Sequence, residues 1–259
     1  MNLVEYAIEA LCLGAFMVSA TLVTALFELP LSPIHQAIAE PLLRRLAIGI
    51  AMALTLIAIV YSPLGMRSGA HLNPSVTLTF WRLKKIRALD ACFYILAQAF
   101  GAISGIWLAG VLLGTAIANP SVNYIATVPS FAGEMGAFLA EFGISLGMMT
   151  LILQVSNNPK ISQLTGLFCG LLVIVYITFE APISGMSMNP ARSLGSAIPS
   201  QAWHGFWVYC IAPPLGMLLA SELYLRLNKR KSRAELCCKL CPNSTTPCIS
   251  PVCCQMCKL

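Results

Sequence analysis

Six apolar stretches, each about as long as a bilayer is thick, leave this chain few folds to choose from. They run over residues 3–27, 42–62, 89–114, 133–155, 163–179 and 205–227. A hydrocarbon core of ~30 Å takes ~20 helical residues at ~1.5 Å each. Only 10% of the 259 residues are charged and 58% are hydrophobic. A soluble domain carries about 25% charged residues, so these charges are too few for a water-facing surface. Strands of a membrane barrel would be ~10 residues long and alternate in polarity, and these stretches do neither. The first stretch does not read as a cleaved leader, because Met1 to Glu9 holds two Glu and no Lys or Arg.

The formal charge of +6 invites a nucleic-acid reading, but its distribution argues otherwise. Arg67, Arg82, Lys84, Lys85 and Arg87 follow the second span, and Lys160 follows the fourth. Arg226, Lys229, Arg230, Lys231, Arg233, Lys239 and Lys258 follow the sixth. With six spans all of these fall on one side, and only Arg44, Arg45 and Arg192 fall on the other. Positive residues mark the cytoplasmic side, so both termini are expected there.

The sequence also repeats itself. Ser68-Gly69-Ala70-His71-Leu72-Asn73-Pro74-Ser75-Val76-Thr77-Leu78 follows the second span. Ser184-Gly185-Met186-Ser187-Met188-Asn189-Pro190-Ala191-Arg192-Ser193-Leu194 follows the fifth, 116 residues later. Glu9 in the first span corresponds to Glu141 in the fourth, and Gln98-x-x-Gly101 corresponds to Pro213-x-x-Gly216. The chain is therefore two halves of three spans. An odd number of spans inverts the second half, which puts function at the midplane between the halves. Asn is a favoured helix cap and Pro a favoured first helical residue, so each Asn-Pro starts a short helix. The stretches 74–81 and 190–198 are too short to span. Irregular backbone at membrane depth must line a wet cavity or be buried in protein. Half-helices entering from opposite faces would aim their positive dipole ends and two Asn amides at one central spot. A water or alcohol oxygen can accept both amides, while a cation is repelled.

With these motifs the chain, from about residue 7 to residue 225, resembles the major intrinsic protein family of aquaporins and glycerol facilitators. The resemblance implies an all-α membrane protein with six transmembrane helices, two re-entrant half-helices and an aquaporin-like inverted repeat. The channel domain would cover residues 1–228, with halves at about 1–115 and 130–228 and a cytoplasmic Cys-rich tail at 229–259. It implies a passive pore for water and small uncharged solutes, a homotetramer in the plasma membrane, no enzymatic step and no required cofactor. The pore motifs would be Asn73, Pro74, Ser75 and Asn189, Pro190, Ala191. The outer selectivity filter would be Ala53, Ile177, Met186 and Arg192. Glu9 and Glu141 would hold the re-entrant loops, with His71 packed near the pore.

Strict water channels of the family carry an aromatic residue and a His where Ala53 and Ile177 stand. The expected filter is thus wider or more apolar, although Met186 refills some of the space. That favours the alternative of a neutral-solute or metalloid-acid facilitator for glycerol, urea, ammonia or arsenite-type solutes. Other markers resemble water-type members: Ser193 in place of Asp, Ala197, and the pair Phe206-Trp207. Ser75, where Ala is usual, resembles some nodulin-like plant members.

Seven cysteines crowd the tail: Cys237, Cys238, Cys241, Cys248, Cys253, Cys254 and Cys257. Clustered thiolates suit soft metals, so a metal site is one reading. Palmitoylation and an unstructured reactive tail are the others. Cys12, Cys92, Cys169 and Cys210 fall in spans and are expected in the core. Two rival functions are weaker. An ion-coupled transporter needs intramembrane charges, and Glu9, Glu141 and Arg192 already have roles. Gly143-x-Ser145-x-Gly147 matches a nucleophile-elbow pattern but lies inside an apolar span, where the two glycines read as a close helix-packing face.

Overall fold

The computed structural model of the chain describes residues 2–228. Six helices among them are long and apolar enough to cross a membrane. They are α1 (Leu3–Glu28), α3 (Pro41–Tyr61), α6 (Ala88–Leu113, extended by a 3-10 turn to Ala118), α7 (Gly133–Ser156), α8 (Thr165–Phe179, preceded by a 3-10 turn from Ser162) and α11 (Phe206–Leu227). The two half-helices are α5 (Pro74–Arg82) and α10 (Pro190–Ser200). All of these match the sequence expectation within a few residues. Three short helices have no counterpart in the sequence pattern: α2 (Pro33–Ala37), α4 (Pro63–Ser68) and α9 (Ala181–Ser184). Pieces of four to six residues are too short to display a hydrophobic period. The tail cysteines Cys237 to Cys257 lie outside the described residues.

The repeat is visible in the packing. α1 lies on α6, and α7 lies on α11 in the equivalent place, while α3 and α8 face each other across the halves. Each half-helix also crosses over, α5 packing on α11 and α10 on α6. The close approaches have an identifiable cause. A Cβ at Gly101 would sit 2.1 Å from the Ala10 carbonyl oxygen, and one at Gly216 would sit 2.4 Å from that of Phe142. Gly143, in contrast, has open space around its Cβ position. The contact surface on α7 therefore runs past Phe142 and Ser145, and the packing role expected of Gly143 passes to Gly216 opposite. Cys12 and Cys169 are buried as expected, but Cys92 and Cys210 are exposed. Both lie on outward faces of helices whose other faces are packed, so they are not core residues.

Ion pairs mark the two ends of the bundle. Arg67 meets Glu5, Arg87 meets Asp90 and Arg82 meets Glu222 at the end holding the start of α1. At the opposite end Arg44 meets Glu28 at 3.2 Å and donates to the carbonyls of Ile38 and Ala39. The charge segregation read from the sequence thus corresponds to two distinct ends.

Candidate functional site

The two Asn-Pro loops are built alike. α4 ends on Gly69 with φ 92°, and α9 ends on Gly185 with φ 84°, a left-handed conformation that glycine adopts without a Cβ penalty. Ala70 and Leu72 then take positive φ, and so do Met186 and Met188 at the repeat-equivalent places. Such backbone costs on the order of 1–3 kcal/mol per residue and persists only where surroundings hold it. Here the surroundings are two buried carboxylates. Glu9 accepts from Ser68 Oγ (2.8 Å), His71 N (3.0 Å), Leu72 N (2.7 Å) and Gln98 Nε2 (2.8 Å). Glu141 accepts from Ser184 Oγ (2.6 Å), Ser187 N (2.7 Å) and Met188 N (2.7 Å). Both Glu residues are fully buried and each is placed to hold its own loop.

The Asn residues then join the halves. Asn73 Oδ1 accepts from Ser75 N, and Asn189 Oδ1 accepts from Ala191 N and Arg192 N, so each oxygen caps its own half-helix. Each nitrogen reaches across. Asn73 Nδ2 donates to the Met188 carbonyl at 2.7 Å, and Asn189 Nδ2 donates to the Leu72 carbonyl at 2.7 Å. The acceptors are the residues held at positive φ. Pro74 and Pro190 occupy the first helical positions. Ser75 and Ala191 follow and are buried, with Ser75 Oγ lacking any partner.

A cavity of about 520 Å³ runs through this junction. Its wall follows one face of α1, of α3 and of α8. α1 supplies Leu13, Phe16, Ala20, Thr24 and Glu28; α3 supplies Arg45, Ile48, Met52, Leu56 and Val60; α8 supplies Thr165, Cys169, Val173 and Ile177. The α3 stripe covers 15 residues of rise, roughly 22 Å at 1.5 Å each, about three quarters of a bilayer core. Both Asn residues, His71 and the loop residues 70–72 and 185–188 line it too. His71 stacks on Phe80 with centroids 4.9 Å apart and has Nδ1 3.1 Å from Thr77 Oγ1.

Three of the four expected filter residues, Ile177, Met186 and Arg192, stand in the wall. Ala53 does not. It is buried and its carbonyl faces Gly170 of α8, while its neighbour Met52 lines the cavity. The lining residues of α3, at positions 45, 48, 52, 56 and 60, keep helical spacing, and Ala53 stands about 100° round from Met52, against Gly170. α3 itself stops at Tyr61, Ser62 is extended (ψ 153°), and α4 restarts at Pro63. With Met148, Met188 and Met217, the wall holds five thioethers beside the Cys169 thiol. Arg192 Nη1 is buried without a protein partner. Ser193 Oγ meets Thr127 (2.7 Å) and Ser187 (2.6 Å) at the outer loop, Ala197 is buried, Phe206 packs on Trp203, and Trp207 Nε1 donates to Glu134 (2.7 Å).

Sequence reasoning missed Glu180. It stands between α8 and α9, is 7% exposed, and contacts Ser184 Oγ. A lone acid closing an apolar run was the available signal. Ser145, the centre of the nucleophile-like pattern, lies mid-helix and buried in α7, without the strand-to-helix turn that chemistry requires.

Comparisons with known proteins agree with the geometry. The family described as "Major intrinsic protein" matches residues 6–224. A probable aquaporin, NIP-type, of Nicotiana alata is 36% identical over 177 residues, 68% of this chain and 63% of that one. Aquaporin NIP1-2 of Arabidopsis thaliana is 32% identical over 181 residues, 68% and 61%. Nodulin-26 of Glycine max is 31% identical over 178 residues, 68% and 64%. The matched stretches thus span about three fifths of these relatives' length. The aquaglyceroporin of Plasmodium falciparum shares the fold with a TM-score of 0.70 at 23% identity, covering 86% of this chain and 96% of that one. Members of the family are channels and not enzymes. On its doubled Asn-Pro junction, its six-helix inverted repeat and the match over residues 6–224, this integral membrane chain belongs to the major intrinsic protein family.

Proposed function

We propose that this chain is a passive transmembrane pore for water and small uncharged solutes. The observation that carries the reading is the junction of Asn73 and Asn189, cross-tied through their amide nitrogens on the wall of one cavity. An amide nitrogen has two hydrogens. One is used across the junction and the second is left for a permeant oxygen. An oxygen that accepts from both Asn residues turns its own hydrogens outward, so a hydrogen-bonded file of water is interrupted there. The positive ends of α5 and α10 add a field that disfavours cations. Arg192, with Nη1 unpartnered, donates to the permeant at the outer constriction and repels cations by its charge.

Met52 sharpens the choice of permeant. Met52, Ile177 and Met186 give the cavity wall three apolar side chains, and Arg192 gives it a guanidinium. Water passing there keeps few hydrogen bonds, whereas a solute with a carbon face and a polar edge satisfies both kinds of wall. This favours, as a second reading, a facilitator for glycerol, urea, ammonia or arsenite-type acids with little water selectivity. Two of the plant relatives are named as aquaporins and the structural neighbour as an aquaglyceroporin, so both readings have a namesake among similar chains. A plasma-membrane homotetramer with cytoplasmic termini completes the proposal, supported for orientation by the basic end at Arg67, Arg82 and Arg87. Whether the Cys-rich tail carries a soft metal is a separate proposal.

The test is isotonic glycerol or urea entry into liposomes, measured by light scattering beside osmotic shrinkage. Met52→Trp is expected to cut solute entry about tenfold while shrinkage falls by a smaller factor, a differential of about 1.4 kcal/mol or less. Equal loss of both would return the pore to a water-only reading, and no loss of either would remove Met52 from the filter.

A further inference from the structure

Glu180 is a buried carboxyl outside the spans, and nothing in the pore chemistry above requires it. Its Oε1 contacts Ser184 Oγ, and its Oε2 is buried with no partner among the described residues. Ser184 Oγ lies at the same time 2.6 Å from Glu141 Oε1. A hydroxyl has one proton to donate. With both carboxyls ionised, one of these two contacts would set lone pair against lone pair. Glu141 also accepts from Ser187 N and Met188 N, so it is the acceptor end. One arrangement satisfies every oxygen in contact: Glu180 O–H donates to Ser184 Oγ, and Ser184 O–H donates to Glu141. The other half lacks this device. Ser68 donates to Glu9 there, but Leu64 stands where Glu180 would be, and Gln98 supplies the further donor.

We propose that Glu180 carries a proton that locks the outer Asn-Pro loop through Ser184, and that losing this proton slows permeation. The lock bears on the filter directly. Ser184 Oγ accepts from Met186 N at 3.2 Å, and the Ser184 carbonyl accepts from Tyr209 Oη at 2.5 Å. Ala181, Pro182, Gly185 and Met186, next to it in the same loop, all line the cavity. Deprotonation places two negative charges on either side of one hydroxyl and loosens the loop that positions Met186 and Met188. The groups around Glu180 do not neutralise that charge. Glu141 faces it from α7, and the neutral phenols of Tyr176 and Tyr209 from α8 and α11. Arg45 of α3 is occupied with the Thr178 carbonyl, and Arg192 acts on Glu141. No ion pair among the described residues involves Glu180. Burial, with a further push from the Glu141 charge, moves its carboxyl up to about 7 despite the Ser184 hydrogen bond. A raised acid is protonated below that value and charged above it, so the lock is present at low pH and lost as pH rises.

The inference rests on the pore reading, and its test uses the full chain in liposomes with two readouts. Osmotic shrinkage is expected to be about threefold or more slower at about pH 8 than at about pH 6. Glu180→Gln, whose amide N–H replaces the acid O–H toward Ser184, should shrink at the faster rate at both. Infrared spectra should show the carbonyl stretch of a protonated carboxyl at the lower pH, lost at the higher and missing from the variant. A wild-type rate equal at both pH values, or a pH step that survives in Glu180→Gln, overturns the proposal. If the variant does not fold, a wild type without a titrating carboxyl band does the same. Shrinkage no faster than empty liposomes at either pH would sink the pore reading instead, leaving the band to decide the proton.

Discussion

The carboxamides of Asn73 and Asn189 divide their work between two atoms. Oxygen caps the half-helix, and nitrogen ties the halves and faces the permeant. The roles of the two flanking acids follow from similar counting. Glu9 meets four donors and no acceptor. Glu9→Gln would set an NH2 against two of those donors, and is expected to cost about 2–4 kcal/mol of stability, read as a drop in melting temperature in detergent. Ser75 gives the opposite expectation. Its hydroxyl is buried and unpartnered, so Ser75→Ala should be neutral or stabilising, by up to about 1 kcal/mol, with shrinkage unchanged. At this scale the sequence disclosed the Asn and Glu residues because each is polar in an apolar setting and repeats, and Arg192 because a charge follows the second motif where Val76 follows the first. It did not disclose Met52, since an apolar residue on the wet face of a span looks like any other.

At the level of elements, hydropathy located the six spans because length and apolarity are properties of a whole segment. The doubled Asn-Pro located α5 and α10 because capping is local chemistry. The break at Ser62–Pro63 leaves no trace in hydropathy, nor does the rotation of α3 about its own axis. Side-chain direction turns by about 100° per residue, so one residue decides between Ala53 against Gly170 and Met52 in the pore. Glycines show the same dependence on partners. Gly101→Ala would press a methyl into the Ala10 carbonyl and should destabilise the chain by about 2–3 kcal/mol. Gly143→Ala meets nothing and should raise helix stability by up to about 1 kcal/mol. Thermal unfolding of the two variants side by side checks that the close helix approach is made at Gly101 and not at Gly143.

For the molecule as a whole, the inverted repeat explains why neither half suffices. Each half-helix is capped by its own half and packed on the other, α5 on α11 and α10 on α6. The cavity wall draws on both, yet not equally. α1 and α3 each line it along most of their length, whereas α7 and α11 contribute Met148, Ile152 and Met217. This asymmetry, like Glu180 and its missing counterpart at Leu64, is where the halves have separated in detail while keeping one plan. The plan was legible as a repeated motif; the asymmetry became visible only once side chains were placed around the cavity. The most direct test of the pore is water and proton flux measured in the same liposomes, by stopped-flow light scattering and an enclosed pH dye. The account predicts shrinkage at least about tenfold faster than in empty liposomes, with proton flux at the empty-liposome level. Correctly folded protein giving no faster shrinkage, or protons crossing together with water, would contradict it.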